Sequence, residues 1–170
     1  MGPLMQAQAQ HMGTTNYIVN LIAAGMKEED ARKRARGTEG ASVAWALGHL
    51  VNYRYYMMSL LGAEEQSPLA EIITDTATDG AEYPAMDVLL AAWNEAAGKV
   101  EKAIADVTDE YLLAKPGEGP HGEQTRLGTL AFYVWHEAYH VGQIGTLRKA
   151  MGYTATADMA IASSRKAKTE

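Results

Sequence analysis

Four stretches of this 170-residue chain repeat apolar residues at steps of three and four, and that period constrains the fold more than any other feature. A 3.6-residue repeat gathers such residues on one face of an α-helix, and that face must be buried. Met5, Ala9, Met12, Thr15, Val19, Ile22 and Met26 mark the first stretch, from Leu4 to Met26. The second runs from Ala41 to Leu61 and carries two stripes. Ala46, His49, Tyr53, Tyr56 and Leu60 form one, and Val43, Leu47, Leu50, Met57 and Leu61 form its neighbour. A helix so broadly apolar packs on more than one side. Pro84 opens the third stretch, along which Leu89, Trp93, Ala96, Val100, Ala103 and Val107 make one stripe. The fourth spans Thr125 to Met151. Leu127, Leu130, Val134, Val141 and Ile144 lie on one face, and Thr129, Phe132, His136, His140, Gln143 and Leu147 on another.

Proline and glycine punctuate these stretches and interrupt none of them. Pro68, Pro84, Pro116 and Pro120 fall between them, while Gly62 and Gly152 stand as C-terminal stops. The pattern predicts a short charged helix over Lys27–Arg36, ended by Gly37 and Gly40. It predicts a turn of helix after Ser67-Pro68 in the Ala63–Tyr83 loop, and a loop over Lys115–Gln124. Alternating strand patterns are missing. The fold class is therefore all-α, a four-helix bundle over residues 1–152. Residues 153–170 form a tail that is a peripheral helix or partly disordered. The loops are longer than a minimal up-down bundle needs, so the order of the helices in space stays open.

Charge and composition narrow the function. Fifteen Lys+Arg against 21 Asp+Glu give 15 − 21 = −6. A nucleic-acid binder concentrates positive charge, so nucleic acid is not expected as a partner. The one basic cluster, Arg32 to Arg36, follows Glu28-Glu29-Asp30 and reads as a solvated helix face. There is no cysteine, which excludes disulfides, Cys-ligated zinc, iron–sulfur clusters and a cysteine nucleophile. No stretch has the length and apolarity of a membrane span or the plan of a signal peptide. A cytoplasmic protein without a membrane partner is the expectation.

Five histidines occur: His11, His49, His121, His136 and His140. His136 and His140 stand at i and i+4, so both imidazoles project from one helix face and can share a metal. The pair lies in the middle of the fourth helix, and His49 lies mid-helix on a stripe of the second. A buried histidine needs hydrogen-bond partners or a metal. Three separate core histidines bonded to tyrosine or backbone groups would meet that need, and so would one shared metal. The cost of burying three unconnected imidazoles favours the metal. His11 and His121 have no partner in the pattern, and His121 falls in the Gly/Pro loop, where exposure is expected.

His136-Glu137-Ala138-Tyr139-His140 also fits H-E-x-x-H, the zinc-protease pattern with Glu as base. Its context does not. Gln143 and Thr146 stand where the longer form of that motif has Gly and His, the only later Glu is Glu170, and no strand precedes the helix to bind a peptide.

Two blocks, Ser42-Val43-Ala44-Trp45-Ala46-Leu47-Gly48-His49-Leu50 and Trp135-His136-Glu137-Ala138-Tyr139-His140-Val141-Gly142-Gln143-Ile144, give the chain its resemblance to a known family. It resembles the DinB-like (YfiT-like) metal-binding four-helix-bundle family over nearly its whole length to Gly152. The resemblance implies a divalent metal held by His49, His136 and His140, and frequent homodimers. It implies that some members are S-transferases joining a low-molecular-weight thiol to an electrophile. Related domains use mycothiol or bacillithiol, and one branch isomerises maleylpyruvate. The family's name comes from a damage-inducible gene and says nothing of DNA binding.

A three-histidine site leaves a coordination position open, and all-nitrogen ligands suit zinc or nickel better than calcium or magnesium. A thiol at such a metal is held as thiolate, and without a cysteine the sulfur must come from a co-substrate. The expected function is thus a metal-dependent thiol S-transferase acting on a small-molecule electrophile. The competing class is a non-catalytic, metal-stapled, dimeric bundle with a binding or structural role. Glu137 and Tyr53 are the candidate catalytic residues. Glu137 projects about 100° around the helix from His136, which favours a solvent or interface role over that of a base. Tyr53 follows His49 by one turn and either orients a ligand, donates to substrate or packs in the core. Gln143 is expected in a structural hydrogen bond. Trp45, Trp93 and Trp135 are expected in the core.

Overall fold

The computed structural model describes residues 1–77, 81–115, 118–119 and 122–166. Helix α1 covers Pro3–Ala23, α2 Glu28–Ala31, α3 Val43–Leu60, α4 Met86–Asp106, α5 Asp109–Leu113, α6 Arg126–Ala150 and α7 Thr156–Lys166. A two-residue hairpin, β1 (Glu118–Gly119) against β2 (Gly122–Glu123), lies within the expected Lys115–Gln124 loop. Among the described residues no helix is long and apolar enough to cross a membrane.

Local chemistry sets the ends of these helices. Ser42 Oγ accepts from Trp45 N at 3.1 Å and starts α3. Thr125 Oγ1 accepts from Gly128 N at 3.1 Å and starts α6. Each hydroxyl satisfies one of the amides a helix leaves unpaired at its N-terminus. At the other end of α3, Gly62 adopts φ +87°. That left-handed residue lets Ala63 N reach back to Met58 O at 3.0 Å, and the helix stops.

The long helices α1, α3, α4 and α6 make the bundle. α3 packs on α4 and α6, and α1 packs on the same two, so α1 and α3 face each other across a diagonal. Side-chain contacts give the directions. Gly48 faces Leu89 and, further along both helices, Arg54 lies over Trp93, so α3 and α4 run parallel. Thr15 meets Glu137, and Ile22 meets Arg148, so α1 and α6 also run parallel. A parallel pair cannot be joined by a tight turn, because the chain must return the length of a helix first. For α3 that is about 27 Å at 1.5 Å per residue. The long segment between α3 and α4 makes this return.

The core is continuous through all four helices. Trp93, Leu47, Leu50, Met57, Leu89 and Ile144 are fully buried in it. α3 is enclosed on most sides, as its two stripes predict. Gly48 allows the closest approach. A Cβ there would stand 2.8 Å from Ile73 Cγ1, so the return segment rests directly on the α3 backbone.

Four expectations change. Only Glu28–Ala31 of the Lys27–Arg36 segment is helical, because paired turns follow, with bridges Arg34–Gly37 and Arg36–Glu39. The residues after Ser67-Pro68 form turns rather than a helix. Asn52 holds them from outside, donating to Ile73 O at 3.0 Å and accepting from Ser67 Oγ at 2.6 Å. Helix α5, unpredicted, starts on the Thr108 cap. Trp135, expected in the core, is 58% exposed on the outer face of α6. The tail contributes α7, which packs against α1.

Candidate metal centre

His49 comes from the middle of α3, and His136 and His140 from successive turns of α6. The antiparallel packing of these helices brings the three rings to one point. His136 Nε2 lies 3.1 Å from His140 Nε2 and 3.4 Å from His49 Nε2. Two nitrogens bound about 2.05 Å from one tetrahedral ion stand about 3.3 Å apart. Both Nε2 separations from His136 therefore match a metal ligand set. The ligating atoms of all three residues lie within 4.8 Å of one another.

Burial holds these rings neutral, the form that ligates. Desolvation first, then the neighbouring imidazoles, lowers His49 to about 3. Desolvation and His140 lower His136 to about 4. His140 is lowered by desolvation as well, with the nearby Gln143 acting in the opposite sense. Nδ1 of His136 and Nδ1 of His140 have no hydrogen-bond partner among the described residues.

Aromatic rings wall the cluster. Trp45 stacks on His49 at 4.6 Å between centroids, and Tyr53 sits 4.7 Å from both His49 and His136. Tyr133 stacks on Tyr53 at 5.1 Å. His49 and His140 are buried, whereas His136 is partly exposed and marks the open side. Tyr53 Oη donates to Asp75 Oδ1 at 3.4 Å. Burial and the neighbouring Asp75 raise the Tyr53 hydroxyl, and burial with Tyr56 raises Tyr133 to about 12. Both hydroxyls keep their protons at neutral pH, and that of Tyr53 is committed to Asp75. A pocket of about 690 Å³ opens on the other side. Ala46 and Gln143 line it, one turn from His49 and His140 respectively.

Glu137 corrects its expectation. It is neither at solvent nor at an exposed interface but 1% accessible in the core, paired with an Arg54 that is fully buried. Arg54 Nε donates to Glu137 Oε2 at 2.7 Å, and Nη2 donates to Oε1 at 2.7 Å. Thr15 Oγ1 donates to the same carboxylate. This fork between guanidinium and carboxylate joins α3 to α6 on the side away from the histidines, and the Thr15 bond ties in α1.

Other residues fall as follows. Tyr53 is at the cluster. Gln143 stands beside His140 and acts on it through its side chain, and it lines the neighbouring pocket. Trp45 and Trp93 are in the core. His11 is exposed on α1, and His121 lies outside the described residues. Arg54, Asp75 and Tyr133 went unnoticed in the sequence, and Thr15 stood out only as part of the apolar stripe of the first helix. Only Arg54 carried a signal: a cation inside the most apolar helix, which needs a buried partner.

Together these features define a class: a four-helix bundle with an internal cluster of three histidines at metal-ligand spacing, open on one side. The chain belongs to the DinB superfamily, whose pattern matches residues 14–144. A conserved protein from Enterococcus faecalis shares the fold with a TM-score of 0.69 at 13% identity, over 88% of this chain and 97% of that one. YfiT from Bacillus subtilis shares it with a TM-score of 0.64 at 18% identity, over 91% of each chain. YfiT is described as a probable metal-dependent hydrolase with an unusual four-helix-bundle topology. No curated protein matches the chain by sequence.

Proposed function

We propose that His49, His136 and His140 hold one divalent cation, zinc or nickel, and that this centre activates a low-molecular-weight thiol for attack on an electrophilic small molecule. The observation that carries the reading is the Nε2 triangle with its 3.1 and 3.4 Å edges, open at His136. When bound, the cation supplies the Lewis acidity that holds a thiol as thiolate at neutral pH. The protein does the rest. Trp45, Tyr53 and Tyr133 form walls for the organic part of a substrate. Arg54 and Glu137 fix α3 against α6 and so position the ligands.

Hydrolysis is the second reading, favoured by the likeness to YfiT. Glu137, the base of the H-E-x-x-H pattern, is locked on Arg54, so hydrolysis would rest on the cation alone. Such a cation lowers the pKa of bound water to about 7 but deprotonates a bound thiol outright, and this difference places thiol transfer first. Purified protein loaded with zinc or nickel is to be assayed for loss of free thiol against a panel of epoxides, alkyl halides and enones. Turnover that disappears in His136→Ala supports the proposal. Metal-loaded protein that consumes no thiol but cleaves esters or amides moves the assignment to hydrolysis, and inertness toward both leaves a metal-stapled bundle.

The proposal includes a cytoplasmic homodimer. Trp135 and Tyr139, 58% and 51% exposed, stack at 5.8 Å on the outer face of α6 and form an apolar pair that a second copy would cover. Light scattering should give twice the chain mass, and Trp135→Ala should reduce it.

A further inference from the structure

On the side of the bundle away from the histidines, a pocket of about 330 Å³ lies between α1 and α4. Met12 and Gly13 of α1 and Val100 and Ile104 of α4 line it, and Asn16 and Arg54 supply polar atoms. Arg54 is fully buried, so it forms the inner end. Two polar atoms here lack partners among the described residues: the Arg54 Nη1 donor and the Asn16 Oδ1 acceptor. The other two nitrogens of Arg54 are committed to Glu137, Thr15 and Met12 O. Both atoms are buried at the pocket wall, and buried polar groups are almost always satisfied, so a donor and an acceptor without partners there call for a visitor that offers both.

We propose that this pocket binds a small neutral amphiphile whose head both accepts and donates a hydrogen bond, a primary carboxamide or a group of that kind, with its apolar body against Met12, Val100 and Ile104. Charge selects the neutral head. The guanidinium is already matched by the Glu137 carboxylate, and Glu101 stands in the same lining, so an anionic head would be left uncompensated. A cationic head would face Arg54. The acceptor of the ligand takes Nη1–H, and its donor serves Asn16 Oδ1. The inference is independent of any metal, because the pocket shares no residue with the histidine cluster.

The test is a titration of the full chain with hexanamide, hexanoate, hexylammonium and 2-heptanone, followed by amide chemical shifts. Saturable shifts confined to α1 and α4, strongest for hexanamide, are expected. Asn16→Ala should weaken hexanamide about tenfold and leave 2-heptanone, which only accepts, unchanged. Gly13→Leu should abolish binding. Gly13 sits between Met12 and Asn16 on the lining face of α1, and a Cβ there meets no atom within 4 Å, so the leucine has room to enter the pocket. Three results would overturn the proposal: no saturable shift with any probe, hexanoate binding more tightly than hexanamide, or hexanamide binding that survives Gly13→Leu. A crystal soaked in hexanamide that holds only water between Arg54 and Asn16 would do the same.

Discussion

Arg54 and Glu137 show how one buried pair can be worth more than its surroundings suggest. Both are desolvated, and each is tolerable only because the other is present, with Thr15 completing the carboxylate's shell. Removing one partner leaves an uncompensated buried charge, which costs about 3–5 kcal/mol. Urea denaturation should therefore show Arg54→Met and Glu137→Leu each losing that much stability. The double variant should recover most of the loss, because packed apolar side chains replace such pairs at little cost. Additive losses would mean that the two residues act separately. The residues that set the site were unequally legible. His136 and His140 announce themselves by spacing, and His49 by its place on an apolar stripe. Glu137 misleads, because its angle from His136 was read as pointing outward when that side of α6 faces α1 and α3. Asp75 and Tyr133 reach the site through tertiary packing alone, which no local pattern encodes.

At the scale of elements, capping and periodicity carried the long helices. Gly62 and Gly152 were legible as stops after α3 and α6, whereas the Ser42 and Thr125 hydroxyls that start these helices went unnoticed as caps. Two short segments escaped because their structure is imposed from elsewhere. The residues after Pro68 answer to Asn52, and the charged helix stops where the Arg34–Glu39 turns begin. Helix α1 shows another kind of dependence. Arg148 of α6, buried to 3%, donates through Nη1 to Ile22 O at 2.7 Å and Ala24 O at 2.9 Å, and through Nε to Thr154 O at 2.9 Å. One guanidinium thus caps the end of α1 and pins the start of the tail. Arg148→Ala should cost about 2–3 kcal/mol, since it strands buried carbonyls that bonded a charged donor. Hydrogen exchange should quicken in the last turn of α1 and in α7 while the middle of α3 stays protected. Uniform quickening would show that Arg148 supports the whole bundle rather than this corner.

For the whole molecule, the parallel pairs α1/α6 and α3/α4 turn an apparently simple sequence of helices into a bundle with a long return segment. The excess loop length between α3 and α4 was legible, but its destination was not. That arrangement sets α3 antiparallel to α6 and so closes the histidine triangle, and pH should act on the triangle directly. In the unfolded chain these imidazoles take protons near 6.5. Folded, His49 and His136 resist protonation until about 3 and 4. Between those values the unfolded state binds more protons, so stability must fall as pH drops from about 6.5 toward 4. The urea midpoint of metal-free protein should decline over that window, and one that stays level or rises would contradict the burial of the three rings. The most direct test of the central claim is the metal itself. Elemental analysis of tag-free protein, purified without added metal or chelator, should find close to one zinc or nickel per chain. His49→Ala, His136→Ala and His140→Ala should each bring that figure near zero in folded protein. Well-folded wild-type protein that carries no metal, and takes up none when zinc or nickel is supplied, would contradict the account.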